Sequence, residues 1–130
     1  MTRRGELQCI VRHDGTNLAE LLNLIGNATI RKMTWYVDLL DYVVAPDDPL
    51  EQLPRYQAWL SGDEMLQLAY RLFQVIDGSI AGYAPSRRKK SPQLRIEFID
   101  SSLLELRVVP SEALRGLSDW MTERQTPTEQ

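Results

Sequence analysis

The stretch SGDEMLQLAYRLFQVIDGSIAGY, from Ser61 to Tyr83, contains a helix start, an apolar stripe and a helix stop. Ser61 precedes Glu64 by three residues, the spacing of a capping box in which each side chain accepts from the other residue's backbone N–H. Apolar residues then recur at helical intervals, at Met65, Ala69, Leu72, Phe73 and Ile76. Gly78 follows, and glycine readily adopts the left-handed conformation that ends a helix. The pattern predicts a helix from Ser61 to Ile76 that packs one face on the rest of the protein.

Segments on both sides of this stretch predict β-strands. The first is the short apolar run LQCIVR at Leu7–Arg12, and a longer, alternating one lies within TIRKMTWYVDLLDYVV at Thr29–Val44. The longer segment is rich in Trp, Tyr, Val and Thr, which suit a half-buried pleated surface. We expect it to form one long strand, or two strands with a bend near Leu39. Residues 93–109 hold two more alternating runs, separated by a turn at Asp100, and predict a hairpin.

The charges of this hairpin favour one register. Both strands must turn their apolar residues towards the same core, which leaves only registers that differ by two residues. Opposite charges across a strand pair stabilise it by roughly 0.2–1 kcal/mol, whereas like charges oppose the pairing. We therefore expect Arg95 to lie opposite Glu105 and not opposite Arg107.

Two further helices are predicted near the ends of the chain. Asn17 and Glu20 repeat the capping spacing before a leucine stripe that ends at Gly26. The other helix follows Pro110 and carries an apolar stripe as far as Met121. Both stripes are those of helices that pack on a core with one face.

The order of elements predicts the fold class. Leu50–Leu60 contains Pro54, which disfavours a helical residue before it, so we expect a short helix or a packed loop there. The strands mostly alternate and long apolar runs are absent, as in sheets with one covered face. The sequence therefore predicts an α+β fold with a mostly antiparallel sheet of four to five strands and three helices packed mainly on one face.

A chain of 130 residues predicts a single domain over residues 1–130. Within it, the segment 85–93 combines prolines, serines and four consecutive cations, which is typical of a loop. The C-terminal residues 125–130 are polar, and we expect them to fray.

Composition excludes several classes of function. The net charge of −3 argues against general nucleic-acid binding, which requires a basic surface to neutralise phosphates. The single cysteine, Cys9, forms no disulfide within the chain, which fits a reducing compartment. No apolar run has the ~20 residues needed to span a bilayer, and no signal-peptide pattern follows Met1. We expect a cytoplasmic protein that does not bind membranes.

No residue pattern indicates catalysis, a metal site or a cofactor. One histidine, His13, and one cysteine cannot supply the four ligands of a structural zinc site. The acidic residues between Asp38 and Asp48 lack the glycine and terminal glutamate of a calcium-binding loop. Glycine-flanked Ser79 lacks the Gly-Lys-Ser/Thr ending of a phosphate-binding loop. The sequence therefore favours a protein that is not an enzyme, with no catalytic residue, no metal and no cofactor.

Two groups of residues are candidates for binding a partner. The first consists of aromatic residues in number beyond the needs of a small core, and these are Tyr36, Tyr42, Tyr56 and Trp59. The second is the basic run of the loop, Arg87, Arg88, Lys89 and Lys90. The run contains no aromatic residue to stack on a base, so a solvated loop tip or a contact to an acidic protein surface accounts for it as well.

These observations favour a small interaction or inhibitor module, of the kind that neutralises a toxin or regulates an enzyme. Its partner would be another protein, or a second copy in a homodimer. One alternative is a ligand-binding protein or enzyme with an acidic site near Asp77 and Asp100, which both lie at element ends. Another is a nucleic-acid-associated protein that acts through Arg87–Lys90.

Overall fold

The computed structural model describes residues 5–12, 16–85 and 91–125. These residues form six β-strands: β1 (Leu7–Arg12), β2 (Thr34–Val44), β3 (Tyr56–Leu60), β4 (Leu72–Tyr83), β5 (Leu94–Ile99) and β6 (Leu103–Val108). They also form four α-helices: α1 (Leu18–Ile25), α2 (Asn27–Arg31), α3 (Gly62–Arg71) and α4 (Arg115–Gln125). Short 3-10 turns lie at Pro49–Gln52 and Glu112–Leu114. Most of the predicted basic loop, including Arg87–Lys90, and the tail beyond Gln125 lie outside the described residues.

All six strands belong to one antiparallel sheet in the order β1-β6-β5-β4-β2-β3. One face of the sheet is apolar, and its middle row runs through Cys9, Leu106, Ile96, Ile80, Val37 and Ala58. The four helices contact one another and cover this face. The predicted α+β class, with an antiparallel sheet and helices on one face, is confirmed. The described residues hold six strands and four helices, one strand and one helix more than the prediction allowed.

A single hydrophobic core lies between the sheet and the helices. Trp35 is completely buried in it, and its Nε1 donates a hydrogen bond to the carbonyl oxygen of Ile30 at 3.1 Å. This bond satisfies the polar end of the indole and fixes α2 against β2. Gly82 is the cross-strand partner of Trp35. A Cβ at position 82 would lie 2.8 Å from the indole ring, so the glycine leaves room for the indole.

The predicted helix from Ser61 to Ile76 is wrong in its second half. Its start is confirmed, since Ser61 and Glu64 form the capping box. The helix ends at Arg71, however, and the next residue begins β4. Residues 72–83 pair with β2 on one side and β5 on the other, and these long-range hydrogen bonds outweigh local helix propensity. Gly78 ends no helix but lies within β4, where a Cβ would be 2.9 Å from the carbonyl oxygen of Asp38.

The expectation of a short helix or packed loop at Leu50–Leu60 is also wrong in part. Only Pro49–Gln52 forms a helical turn, whereas Tyr56–Leu60 is the edge strand β3. Pro54 precedes this strand, and proline is tolerated beside an edge because it has no N–H to donate to a ladder.

The predicted hairpin register is wrong as well, since Arg95 lies opposite Arg107 and Glu97 opposite Glu105. The turn fixes this register. Asp100 and Ser101 adopt left-handed conformations with φ of 50° and 57°, which closes the hairpin between Ile99 and Leu103. The shared apolar face is kept in both registers, so turn geometry outweighs the charges, which lie towards solvent.

Glu105 forms an ion pair with a residue of its own strand, and not with one across the hairpin. Its Oε2 accepts a hydrogen bond from Nε of Arg107 at 3.1 Å. Nε2 of Gln8, on β1, donates to the same oxygen at 2.6 Å. These two contacts reduce the repulsion between Glu105 and Glu97.

Candidate functional site

In the part of the chain that the structure describes, no helix covers the second face of the sheet. Its central row runs across all six strands through Gln8, Arg107, Arg95, Ala81, Tyr36 and Trp59. The adjacent row runs through Ile10, Glu105, Glu97, Ser79, Asp38 and Gln57. We call these two rows, together with Tyr83, the open face. Because β1 pairs with β6, this face brings together side chains from sequence positions that are about 100 residues apart.

Three aromatic rings form a cluster at the β3 end of the open face. Tyr36 and Trp59 are direct cross-strand partners, and their ring centroids are 4.9 Å apart with a 52° angle between the planes. The ring of Tyr83 lies 5.3 Å from that of Trp59. Both distances are in the range of favourable aromatic pairs. We call these three residues the aromatic cluster; its central member, Trp59, remains 45% exposed.

Polar contacts fix the side chains around the aromatic cluster. Nε2 of Gln57 donates a hydrogen bond to the Tyr36 hydroxyl at 3.0 Å. Arg55 binds the Asp38 carboxylate through two hydrogen bonds of 2.8 and 2.9 Å. The hydrogen bond from Arg55 lowers the pKa of Asp38, with a smaller opposing effect of burial. Asp38 is therefore ionised at neutral pH, and this corner of the open face is held in one arrangement before any partner binds.

Two arginines continue the central row beyond the aromatic cluster. Arg95 and Arg107 face each other across β5 and β6, and both are exposed. Arg107 is bound by Glu105, whereas no ion pair holds Arg95 among the described residues. Ala81 lies between Arg95 and Tyr36, and it is only 7% exposed although no described helix covers it. A cation and an aromatic ring thus lie on the two sides of a small side chain.

The structure separates the four aromatic residues that the sequence singled out. Tyr36 and Trp59 lie together on the open face. Tyr42 is half-buried, and its hydroxyl donates to the carbonyl oxygens of Leu50 at 2.8 Å and Leu53 at 3.2 Å. Burial raises the pKa of Tyr42, so its hydroxyl is protonated and donates at neutral pH. Tyr56 packs half-buried against the core on the covered side.

Tyr83, Arg95 and Arg107 lie on the open face but were not among the binding candidates predicted from sequence. The alternation in residues 94–98 already placed Arg95 on the side away from the core. Tyr83 could be found only once residues 72–83 are a strand, because Ser79, Ala81 and Tyr83 then share one face.

The structure brings Asp77 and Asp100 together at the turn between β5 and β6. Oδ1 of Asp77 accepts a hydrogen bond from the backbone N–H of Asp100 at 2.8 Å. This contact supports the left-handed turn, which is an ordinary use of an aspartate beside a turn.

Two of the remaining candidates for chemistry, Cys9 and Asp48, lie on different elements. Cys9 is buried, with Sγ 3.8 Å from the carbonyl oxygen of Met121, and burial raises the pKa of its thiol despite the nearby charge of Arg124. Asp48 is bound by Arg71, and His13 lies outside the described residues. Within the described ranges, no group of three or more His, Cys, Asp or Glu side chains could hold a metal ion.

Comparisons with protein families, with curated proteins and with solved structures find no match for this chain. None of the helices that the structure describes is both long and apolar enough to cross a membrane.

Proposed function

We propose that this protein is a protein-binding module that holds its partner on the open face of the sheet. The observation that carries the proposal is the aromatic cluster of Tyr36, Trp59 and Tyr83, which lies near Arg95 on a face that no described helix covers. Tryptophan, tyrosine and arginine are the residue types most enriched among those that dominate the energy of protein interfaces. Here they share one face of the sheet.

The rigidity of the open face supports this proposal. Its residues stand on strands, and Tyr36 is further held by Trp59 and Gln57. A partner that packs on it would find Tyr36 and Trp59 already in contact and would order mainly Arg95, and ordering costs about 0.5–1.5 kcal/mol for each flexible side chain.

The charges of the central row indicate the chemistry of the partner. Arg95 faces the like charge of Arg107 and has no carboxylate bound to it among the described residues. A carboxylate on the partner would relieve this repulsion while it pairs with Arg95. The proposed partner therefore presents an acidic group next to an apolar or aromatic patch.

The proposed role is that of an interaction or inhibitor module of immunity type, which acts by occupying the surface of another protein. The proposed compartment is the cytoplasm, and the free, buried thiol of Cys9 is compatible with its reducing conditions. A second copy of the chain, bound as a homodimer, is an outcome that the experiment below distinguishes.

Single-stranded nucleic acid is the second candidate for the open face. Aromatic rings beside arginine on a β-sheet form a stacking platform for bases in other proteins. Two observations favour a protein instead. The three rings contact one another at tilted angles, and the adjacent row carries Glu97 and Glu105, which repel phosphates.

The test is affinity capture from a native lysate, followed by titration of the purified partner. We compare the wild-type chain with Trp59→Ala and Arg95→Glu, and we use Tyr70→Ala as a matched control because Tyr70 is 79% exposed on α3, in the helix layer. Loss of an interface anchor weakens binding by about 2 kcal/mol or more, roughly 30-fold. The control should bind within about twofold of wild type. Equal binding of all four proteins, or no stoichiometric partner, contradicts the proposal.

Nuclease treatment and salt complete this test. A protein partner is captured equally after nuclease treatment, and a second copy of this chain is recognised by its own mass. Loss of the partner on nuclease treatment, with binding that falls steeply as salt rises, would replace the proposal by the nucleic-acid function.

A further inference from the structure

A groove lies where the edge of β2 loses its neighbour. β3 pairs with β2 only as far as Tyr56, which lies opposite Leu39. Residues 40–44 of β2 continue alongside β4, but on their other side the described chain offers no strand. The segment 49–54 lies on that side instead, and a groove of about 350 Å³ separates it from residues 40–44. We call it the β2 groove; it is lined by residues 40–44, Glu51, Leu53 and Pro54.

Three large aliphatic side chains with exposed surface belong to the lining of the β2 groove, although most of the lining surface is polar. Leu40 is 52% exposed, Leu53 45% and Val43 39%. The Tyr42 hydroxyl binds the carbonyl oxygens of Leu50 and Leu53, so the outer wall is fixed to β2. The groove is thus present before a ligand enters it.

The charged residues of this lining are all acidic. Asp41 and Glu51 line the groove, and neither takes part in an ion pair among the described residues. Two nearby aspartates differ in this respect, since Arg71 binds Asp48 and Arg55 binds Asp38. The carboxylates at the groove are therefore available to a cation from outside.

The strand edge adds a backbone component. Alternate residues of a strand direct their N–H and C=O groups towards the same side, so part of the backbone of residues 40–44 is directed into the groove. An unpaired edge of this kind is a template for an added strand. The pairing of β2 with β4 shifts register at three places between Leu39 and Val44. Such bulges twist a strand, so an added ladder extends over a few residues only.

We propose that the β2 groove binds a short extended segment of a partner protein in which lysine or arginine alternates with apolar residues. The apolar side chains of this segment contact Leu40, Val43 and Leu53. Its cations pair with Asp41 and Glu51, while its backbone bonds to the free edge of β2. The proposal uses no residue of the open face and stands independently of the function assigned to that face.

The test uses three fluorescein-labelled hexapeptides and the intact protein. The first alternates lysine and valine, the second alternates glutamate and valine, and the third is the lysine peptide with its backbone nitrogens methylated at alternate positions. Fluorescence anisotropy measures affinity, and the amide resonances of the 15N-labelled protein show the position of the peptide. The lysine peptide should bind with a Kd in the millimolar range or below and shift the amides of residues 40–44. The other two peptides should bind at least tenfold more weakly.

Charge-reversed variants test the role of the carboxylates. Asp41→Lys/Glu51→Lys should weaken binding of the lysine peptide by roughly tenfold, because each reversal replaces an attraction with a repulsion of similar size. Asp119→Lys/Glu123→Lys on α4 makes the same change in net charge away from the groove and should leave binding within twofold. Equal affinity for the lysine and glutamate peptides, equal effects of the two double variants, absence of binding, or shifts confined to the open face would each overturn the proposal.

Discussion

Tyr36 on β2 lies directly opposite Trp59 on β3, and the two rings are in contact on a face that no described helix covers. The same pair joins an edge strand to the sheet and forms the centre of the proposed binding surface. The effect of the Tyr36–Trp59 pair on stability can be separated from its effect on binding by comparison with a core tryptophan. Trp59 is 45% exposed, whereas Trp35, on the opposite face, is completely buried.

Trp59→Ala should lower the free energy of unfolding by about 1–3 kcal/mol, because it removes two aromatic pairs of about 0.5–1.5 kcal/mol each. Trp35→Ala should lower it by about 3–5 kcal/mol, since it leaves a cavity in the core. Urea denaturation of the purified proteins measures both changes. A loss at Trp59 as large as that at Trp35 would show that Trp59 is a core residue and not part of a binding surface.

Arg95 and Arg107 should respond differently to the same substitution. Arg95→Gln removes a like charge from opposite Arg107 and should raise the free energy of unfolding by a few tenths of a kcal/mol at low ionic strength, with the difference vanishing in concentrated salt. Arg107→Gln removes the cation bound to Glu105 and should lower the free energy of unfolding by up to about 1 kcal/mol. Denaturation curves at two salt concentrations distinguish them. Destabilisation by Arg95→Gln would mean that Arg95 has a stabilising role within the fold.

The ion pair between Asp48 and Arg71 makes the stability of the protein depend on pH. The Arg71 guanidinium, together with the Leu50 N–H, lowers the pKa of Asp48 to about 2. Because the unfolded carboxyl has a pKa of about 3.9, the contribution of this group is complete above about pH 4 and is lost as pH falls through about 2. Asp48→Asn should be less stable than wild type at pH 7, with a difference that narrows below pH 4. A difference that stays constant from pH 7 to pH 2 would contradict this assignment.

Gly62, at the start of α3, allows α2 to approach closely. A Cβ at this position would lie 2.3 Å from Cα of Arg31 and 2.3 Å from the carbonyl oxygen of Ile30, both backbone atoms that cannot move away freely. Gly62→Ala should therefore destabilise the protein by about 1–3 kcal/mol, although alanine favours helix formation. Gln67→Ala, at an exposed position of the same helix, should change stability by less than about 0.5 kcal/mol. Thermal unfolding of the two variants checks both values, and a neutral Gly62→Ala would contradict the close contact.

Local patterns predicted the elements whose pattern is complete within a few residues. The capping boxes at Asn17 and Ser61 and the short apolar run of Leu7–Arg12 all correspond to observed elements. The point where α3 gives way to β4 could not be predicted this way. It depends on pairing with β2 and β5, whose residues are distant in sequence, and a helical stripe from Met65 to Ile76 gave no indication of that pairing.

The candidate site could also be predicted only in part, because the face on which a side chain lies depends on how its strand pairs with its neighbour. Tyr36 and Tyr42 have the same parity along one strand, so strict alternation would place both on the open face. The register shift between Leu39 and Asp41 turns Tyr42 to the covered side, where it pairs with the buried Val75. A bulge of one residue thus separates two tyrosines that composition alone treats as equivalent.

The most direct test of the proposed binding surface is site-specific photo-crosslinking in living cells. A photoreactive phenylalanine derivative replaces Gln57, which is exposed on the open face beside Trp59, or replaces Tyr70 on α3 as a control. Our account predicts one prominent crosslinked protein from position 57, absent from position 70 and lost when Arg95→Glu is added. The same crosslinked protein from both positions, or none from position 57, would contradict the assignment of the open face as the binding surface.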